Sequence, residues 1–355
     1  MTVRPTIGVI IPACDAAEYI DQALASVAAQ RQPVDEVVVY DDGSSDNTGA
    51  LAARWARVLP MTVIRSETRR GIWHARQRAI AALESDVVMQ LDADDFLLPH
   101  HVATMCAAYL EHPGLISPRP LVWNGVGPWR ESAYRKNALP QPGDQLEQLL
   151  VQNYVVVGGM YSKKLYAEAG GYQSIDFCED WDLWLRMVAA GASVHKPQQA
   201  TYVYRVRENS VAGLMDRQAA ESGVLTKFLA GCEQPRYRRA AKISLLQRIG
   251  ARHIAGLPEA APDAAQRRVL DRLGLPAERV RSLRHDPDLG LFAEVPDDGA
   301  AGASGAVWTV VDVEAGEVVV RGRLVGEALA VDHIGNESLV LKRSSLRDMS
   351  TAQGV

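Results

Sequence analysis

Through roughly the first hundred residues, the apolar positions alternate between two spacings. Short unbroken runs at Ile7 to Ile11, Val37 to Tyr40, Met61 to Ile64 and Val87 to Leu91 read as strands buried on both faces. Between them the period lengthens. Ile20, Ala23, Leu24 and Val27 fall on one helical face, with Asp15 and Glu18 as the expected helix start. Leu51, Trp55 and Val58 mark a second helix, capped by Ser45 or Asp46, and Ile72, Arg76, Ala79, Ile80 and Leu83 mark a third after Gly71. A fourth helix opens at Pro99 and carries Val102, Met105, Cys106, Tyr109 and Leu110. Strand and helix in alternation predict an α/β fold with a mostly parallel central sheet and helices on both faces.

The later pattern is less regular. Leu115 to Asn137 is rich in Pro, Gly and Trp. Tyr154 to Tyr161 reads as a strand, Asp180 to Ala190 as a helix and Thr201 to Arg205 as a short strand. From Gly213 to Gly256 the chain looks helical and arginine-rich, and Leu257 to Leu291 carries prolines and short helices. Residues 297–305 have a linker composition. After them, Val307 to Val313 and Glu317 to Leu324 flank a turn at Ala315-Gly316 and predict a hairpin. The expected domains are thus a catalytic domain at 1–212, a helical extension at 213–296, a linker at 297–305 and a small β-rich unit at 306–355.

Composition narrows the function classes. The 355 residues carry a net charge of −5, which argues against a protein that binds nucleic acid by neutralising phosphates. No stretch approaches the ~20 apolar residues of a membrane span, and Met1 to Pro5 has no secretory pattern. A cytoplasmic protein is expected. Cys14, Cys106, Cys178 and Cys232 form no C-x-x-C pair and read as free thiols.

Polar groups collect after the first, second and fourth strands, the edge where open parallel sheets bind ligands. Asp92 and Asp94 are two residues apart, so on an extended segment they face one side. Two adjacent carboxylates repel unless a positive charge lies between them, and a hard divalent ion, Mn2+ or Mg2+, suits that oxygen set. In Asp41-Asp42-Gly43-Ser44, one aspartate is placed to accept the N3–H of a uracil, although Asp, Gly and Ser also favour a plain turn. Glu179 and Asp180 open a predicted helix whose dipole favours an ionised acid there, and an ionised carboxylate beside a hydroxyl serves as a general base. Around Gly71, Arg70 or Arg76 is placed to approach a diphosphate or a ribose.

In this order, Val9-Ile10-Ile11-Pro12, Tyr19 to Gln30, Asp41 to Thr48, Gly71…Ala75-Arg76-Gln77, Leu91 to Asp95 and Glu179 to Arg186 resemble the family 2 glycosyltransferases of GT-A fold, over about residues 6 to 212. The resemblance implies inverting transfer of a sugar from a nucleotide-sugar, a UDP-sugar by family weight, to a carbohydrate, protein or small-metabolite acceptor. It implies a base pocket around Pro12 and Asp42, a ribose and metal contact at Asp92, the principal metal ligand at Asp94, and the catalytic base at Asp180 with Glu179 beside it. Gly170-Gly171-Tyr172 matches the acceptor side. Two positions depart from the family pattern. Gln77 stands for a frequent asparagine, and in Tyr204-Arg205-Val206-Arg207 an arginine replaces a histidine that helps hold the metal. A cation cannot ligate a cation, so Arg207 is expected to contact the diphosphate.

Two other functions fit part of this pattern: a metal-dependent nucleotidyltransferase, and a protein that binds nucleotide-sugars without turnover. Dehydrogenases and P-loop enzymes do not fit, because neither glycine motif is present. For the C-terminal unit, acceptor docking, self-association into a homo-oligomer and support of the catalytic domain all remain open.

Overall fold

The computed structural model describes residues 4–131, 143–175, 178–207, 216–286, 289–296, 306–312, 317–325, 328–334 and 337–338. The chain divides into two compact units, Met1–Ala220 and Glu221–Val355.

The first unit begins with β1 (Ile7–Ala13), α1 (Ile20–Ala28), β2 (Glu36–Asp41), α2 (Thr48–Arg54), β3 (Met61–Arg65), α3 (Ile72–Ala82), β4 (Val87–Gln90), β5 (Phe96–Leu97) and α4 (His101–Glu111). It continues with β6 (Leu115–Ile116), β7 (Arg119–Trp123), β8 (Arg130–Glu131), α5 (Gln145–Val151), β9 (Met160–Ser162), α6 (Lys163–Glu168), α7 (Glu179–Ala189), β10 (Val194–His195) and β11 (Ala200–Arg205). A seven-stranded sheet has the order β10-β6-β9-β4-β1-β2-β3. Its pairs are parallel except where β9 meets β4 and β6. A four-stranded sheet of order β5-β11-β7-β8 stands beside the site.

Every residue of β1 is buried, as the unbroken apolar run requires. The period of two then divides the layers. Ile7, Val9, Ile11, Val37 and Val39 pack with Ile20, Ala23, Leu24 and Val27 of α1 and with Val102 and Met105 of α4. The opposite face of β1 and β2 is covered by α3, through its buried Ala75, Ala79 and Ile80. Ile72, expected on that inner face, is exposed instead.

Several local expectations are corrected. Asp15 does not cap α1. It has φ 49°, and its carboxylate accepts from the Ser45 backbone N–H at 2.8 Å and the Ser45 hydroxyl at 2.9 Å, clasping two loops together. The N-cap of α2 is Asn47, not Ser45 or Asp46; the Asp46 carboxylate accepts from Thr48 N–H at 2.9 Å and from Ala17 N–H at 3.0 Å. Tyr154 to Tyr161 is a strand only from Met160, while Tyr154, Val155 and Val156 are buried without strand pairing.

The second unit contains most of α8 (Arg217–Gly231), then α9 (Pro235–Gly256), α10 (Ala264–Arg272) and an antiparallel meander. The meander strands are β12 (Ser282–Asp286), β13 (Gly290–Pro296), β14 (Ala306–Asp312), β15 (Glu317–Val325), β16 (Ala328–Ile334) and β17 (Glu337–Ser338), each paired with the next. The hairpin is formed by β14 and β15, with its turn outside the described residues. Residues 297–305 also lie outside them. The strands on either side, β13 and β14, are hydrogen-bonded neighbours, so that segment connects two strands of one sheet and does not precede a separate unit. The sheet already begins at Ser282, inside the stretch read as a helical extension.

Gly158 ties the fold to the site. A Cβ there would lie 2.4 Å from the ring of Tyr202, which is fully buried and cannot retreat. Gly158→Ala is expected to destabilise the protein by about 1–3 kcal/mol through overpacking. Urea denaturation of the two proteins checks this, with a fall in midpoint at unchanged slope as the expected result.

Candidate active site

Because β1, β2 and β4 run parallel, their C-terminal ends share one edge, and the predicted residues gather there. Pro12 is buried at the end of β1, opposite Tyr40. Asp42 follows β2. Its carboxylate accepts from the backbone N–H of Arg70, at 3.0 and 3.1 Å, and of Gly71, at 2.7 Å. Gly71 sits at φ 97°, a conformation that favours glycine, directly before α3. A carboxylate offers about four lone-pair sites, so these bonds leave Asp42 capacity for a further donor. Asp41 is placed differently. It is fully buried, accepts from Ser44 N–H at 2.9 Å, and lies 3.6 Å from Arg65 Nε. A Cβ on Gly49 would come within 2.5 Å of its other oxygen. Asp41 therefore holds the loop from inside and presents no oxygen to a ligand here.

After β4 the chain turns through Asp92, Ala93, Asp94 and Asp95, with Asp95 N–H bonded to Asp92 O at 3.0 Å. Asp95 is buried. It accepts from the Tyr202 hydroxyl at 2.6 Å and from Arg205 N–H at 2.7 Å, which fastens the turn to β11. Arg205 Nε donates to Asp94 O at 2.7 Å, and the Arg205 guanidinium lies 4.7 Å from the Trp123 ring and 5.0 Å from the Tyr19 ring. The sequence reading gave Arg205 no role. Its signal was its place on a strand two residues before Arg207.

Asp92 and Asp94 keep some exposure, and each is met by one arginine. Arg76 Nη2 is 2.9 Å from Asp92, and Arg207 Nη2 is 2.5 Å from Asp94. Burial and then the neighbouring Asp92 push the Asp94 carboxyl above its usual range, with Arg207 opposing them. Burial thus disfavours two ionised carboxylates side by side, and added positive charge there would favour them. Among the described residues, no group of three His, Cys, Asp or Glu is placed to hold a metal. Two carboxylates suit an ion that takes its other ligands from phosphates and water, which is how Mg2+ is commonly bound.

Arg76 was expected at the donor. It is instead enclosed, with 3% of its side chain exposed, between Asp92 and Glu179 Oε1. Burial disfavours its charge, but Asp92, Tyr172 and Glu179 together outweigh burial and keep it protonated. Its Nε has no hydrogen-bond partner. Burial, and then the neighbouring Asp180, raise the Glu179 carboxyl, while Arg76 pulls the other way. The Glu179 carboxylate is thus committed to Arg76. Asp180, beside it at the start of α7, accepts from Trp181 N–H at 2.7 Å and is 7% exposed. The Tyr204 phenol is pushed up first by burial and then by Asp95, Asp92, Asp94 and Asp180. Tyr172, after the Gly170-Gly171 pair, is likewise buried and feels Arg76, Glu179 and Asp180.

Strand ends carrying two metal-suited carboxylates, with a second acid pair facing them, define an α/β domain of the GT-A type. Residues 8–170 match the model of glycosyl transferase family 2, which supports a glycosyltransferase domain of that family over this part of the chain. It is 29% identical over 182 residues to the amylovoran biosynthesis glycosyltransferase AmsE of Erwinia amylovora, covering 50% of this chain and 66% of that one. It is 28% identical over 226 residues to the succinoglycan biosynthesis protein ExoU of Rhizobium meliloti, covering 58% and 63%. These matches span just under two thirds of either relative. Among solved structures, S. aureus TarS 1-349 in complex with UDP-GlcNAc shares the fold with a TM-score of 0.58 at 20% identity, over 71% of this chain and 73% of that one. The mannosyltransferase PcManGT from Pyrobaculum calidifontis, in complex with GDP-Man and Mn2+, shares it with a TM-score of 0.51 at 21% identity, over 78% and 82%. No helix among the described residues is long and apolar enough to cross a membrane.

Removing Arg76 strands two buried carboxylates. Arg76→Ala is expected to cost about 3–5 kcal/mol of stability. Adding Glu179→Gln to that variant should restore part of the loss, and thermal denaturation of the three proteins reads both effects.

Proposed function

We propose that this protein is an inverting glycosyltransferase that moves a sugar from a UDP-sugar to a hydroxyl of a carbohydrate acceptor, with a divalent cation at Asp92 and Asp94. The observation that carries this reading is the buried Arg76 that joins Asp92, after β4, to Glu179, beside Asp180, at the C-terminal edge of the parallel sheet. The names of AmsE and ExoU, both in polysaccharide biosynthesis, support a carbohydrate acceptor.

In this reading Pro12 and Asp42 frame the base, and Gly71 lets the chain turn closely past it. Asp92 and Asp94 would hold a Mn2+ or Mg2+, which would supply positive charge to the departing diphosphate. Arg207, with a third of its side chain exposed, exchanges Asp94 for a phosphate oxygen when the donor enters. Asp180 takes the proton of the acceptor hydroxyl as that oxygen bonds to the anomeric carbon, and the bond from the anomeric carbon to the diphosphate breaks. Glu179 stays on Arg76 and fixes the start of α7 so that Asp180 faces the donor. Arg76 therefore serves the donor indirectly, through Asp92, and Asp41 serves it through the loop that follows.

The Arg207–Asp94 ion pair favours a second reading, a protein that binds nucleotide-sugars without turnover, because a protein cation already occupies one ligand. Hydrolysis of UDP-sugars with Mn2+ and with chelator separates the two. Turnover that chelator lowers supports the transferase, and tight donor binding with no turnover supports the alternative. A nucleotidyltransferase would release pyrophosphate from a nucleoside triphosphate. For the base, Asp180→Asn is expected to lower turnover by at least a hundredfold while the UDP-induced thermal shift stays within error. Full activity in that variant contradicts the assignment.

A further inference from the structure

The four-stranded sheet beside the site ends in a hairpin that the function above leaves unexplained. Between β7 and β8 the chain runs Asn124-Gly125-Val126-Gly127-Pro128-Trp129. Gly125 and Gly127 adopt φ 88° and 71°, Pro128 fixes the return, and Trp123 Nε1 donates to Gly127 O at 3.0 Å. The hairpin tip displays apolar surface: Val126 is 79% exposed and Trp129 45%. Large exposed apolar groups on one short element mark an interaction surface.

The tip is joined to the catalytic carboxylates by direct contacts. Trp129 and Trp123 both meet Phe96 edge-on, at 5.8 and 5.6 Å. Phe96 immediately follows Asp94 and Asp95 in the chain. Trp123 stacks on Arg205, whose Nε holds the Asp94 carbonyl. Arg207, paired with Asp94, packs on Tyr19 beside it. Trp129 thus meets Phe96, two residues after Asp94, while 45% of it stays exposed.

We propose that Trp129, steadied by Phe96 and Trp123, is a subsite for a pyranose ring of the acceptor, so that the acceptor is an oligosaccharide or polysaccharide gripped at a sugar next to the reacting one. The chemistry fits that ligand. One face of a pyranose presents axial C–H groups, and these cover an electron-rich indole while the ring hydroxyls stay in water or meet polar neighbours. A flat, rigid aromatic with a polar rim suits a ligand that is apolar on its faces and polar at its edge. An aliphatic partner protein would call for a broader apolar area than one hairpin tip supplies. This inference rests on the glycosyltransferase reading for its location, and its test reads acceptor and donor separately.

The experiment uses the full chain as wild type, Trp129→Ala and Trp129→Phe. Saturation-transfer NMR is recorded with cellohexaose, maltohexaose and chitohexaose in the presence of UDP, and the UDP thermal shift is measured on the same samples. Wild type is expected to transfer saturation to ring protons of at least one hexasaccharide. Trp129→Ala should weaken that binding at least tenfold, Trp129→Phe should keep most of it, and all three should share one UDP shift. Equal binding by Trp129→Ala and wild type overturns the subsite, as does absence of signal from all three sugars. Loss of the UDP shift in wild type overturns the donor reading instead, and leaves the sugar result to be judged by itself.

Discussion

One buried guanidinium holds the two chemical halves of this domain in register. Arg76 projects from α3 and touches Asp92 at the end of β4 and Glu179 at the start of α7, acids far apart in sequence. Neither acid is tolerable there without it, and it is tolerable only because both are present. The end of β4 and the start of α7 are therefore coupled by a buried charge cluster. Apolar packing alone would let the two slide; the arginine fork fixes direction as well as distance. Tyr172 and Gln90 extend the cluster, with Gln90 Nε2 donating to the Tyr172 hydroxyl at 2.7 Å.

A second constraint follows from charge. Each carboxylate of the Asp92–Asp94 pair already faces an arginine, yet the Asp94 carboxyl is still pushed upward by burial and by Asp92. The arginines differ in freedom. Arg76 is enclosed and fixed, whereas Arg207 is partly exposed and lies over Tyr19. On the function proposed above, a diphosphate arriving with a divalent ion would displace Arg207 from Asp94 and leave Arg76 in place.

Much of this was legible in the sequence, for physical reasons that vary by residue. Strands β1 to β4 announced themselves because burial on both faces leaves no room for polar residues, and α1 because Ile20, Ala23, Leu24 and Val27 repeat at the helical period. Asp92 and Asp94 were legible as an acidic pair after β4, but the chain turns there and does not stay extended, as the Asp95 N–H bond to Asp92 O shows. Asp41 and Asp42 were not separable, since adjacent residues of one type differ only in which side of the strand they face, and that is settled by Gly49 and the 70–71 loop. Arg76 looked like a phosphate contact because sequence does not show that Glu179 comes to meet it. Asp15 looked like a helix cap because its partner, Ser45, lies on a different loop. The linker composition of 297–305 concealed that the strands before and after it pair in one sheet, because strand pairing is not local. The aromatic hairpin at 123–129 was only an irregular patch until Phe96 and Arg205 were seen against it.

The account turns on whether Asp94 helps bind the diphosphate through a cation. Calorimetric titration of UDP into wild type and Asp94→Asn, each with Mn2+ and with chelator, measures this directly. The expected result is that Mn2+ tightens UDP binding to wild type at least tenfold and leaves binding to Asp94→Asn unchanged. UDP affinity that ignores both the metal and the substitution would contradict the account.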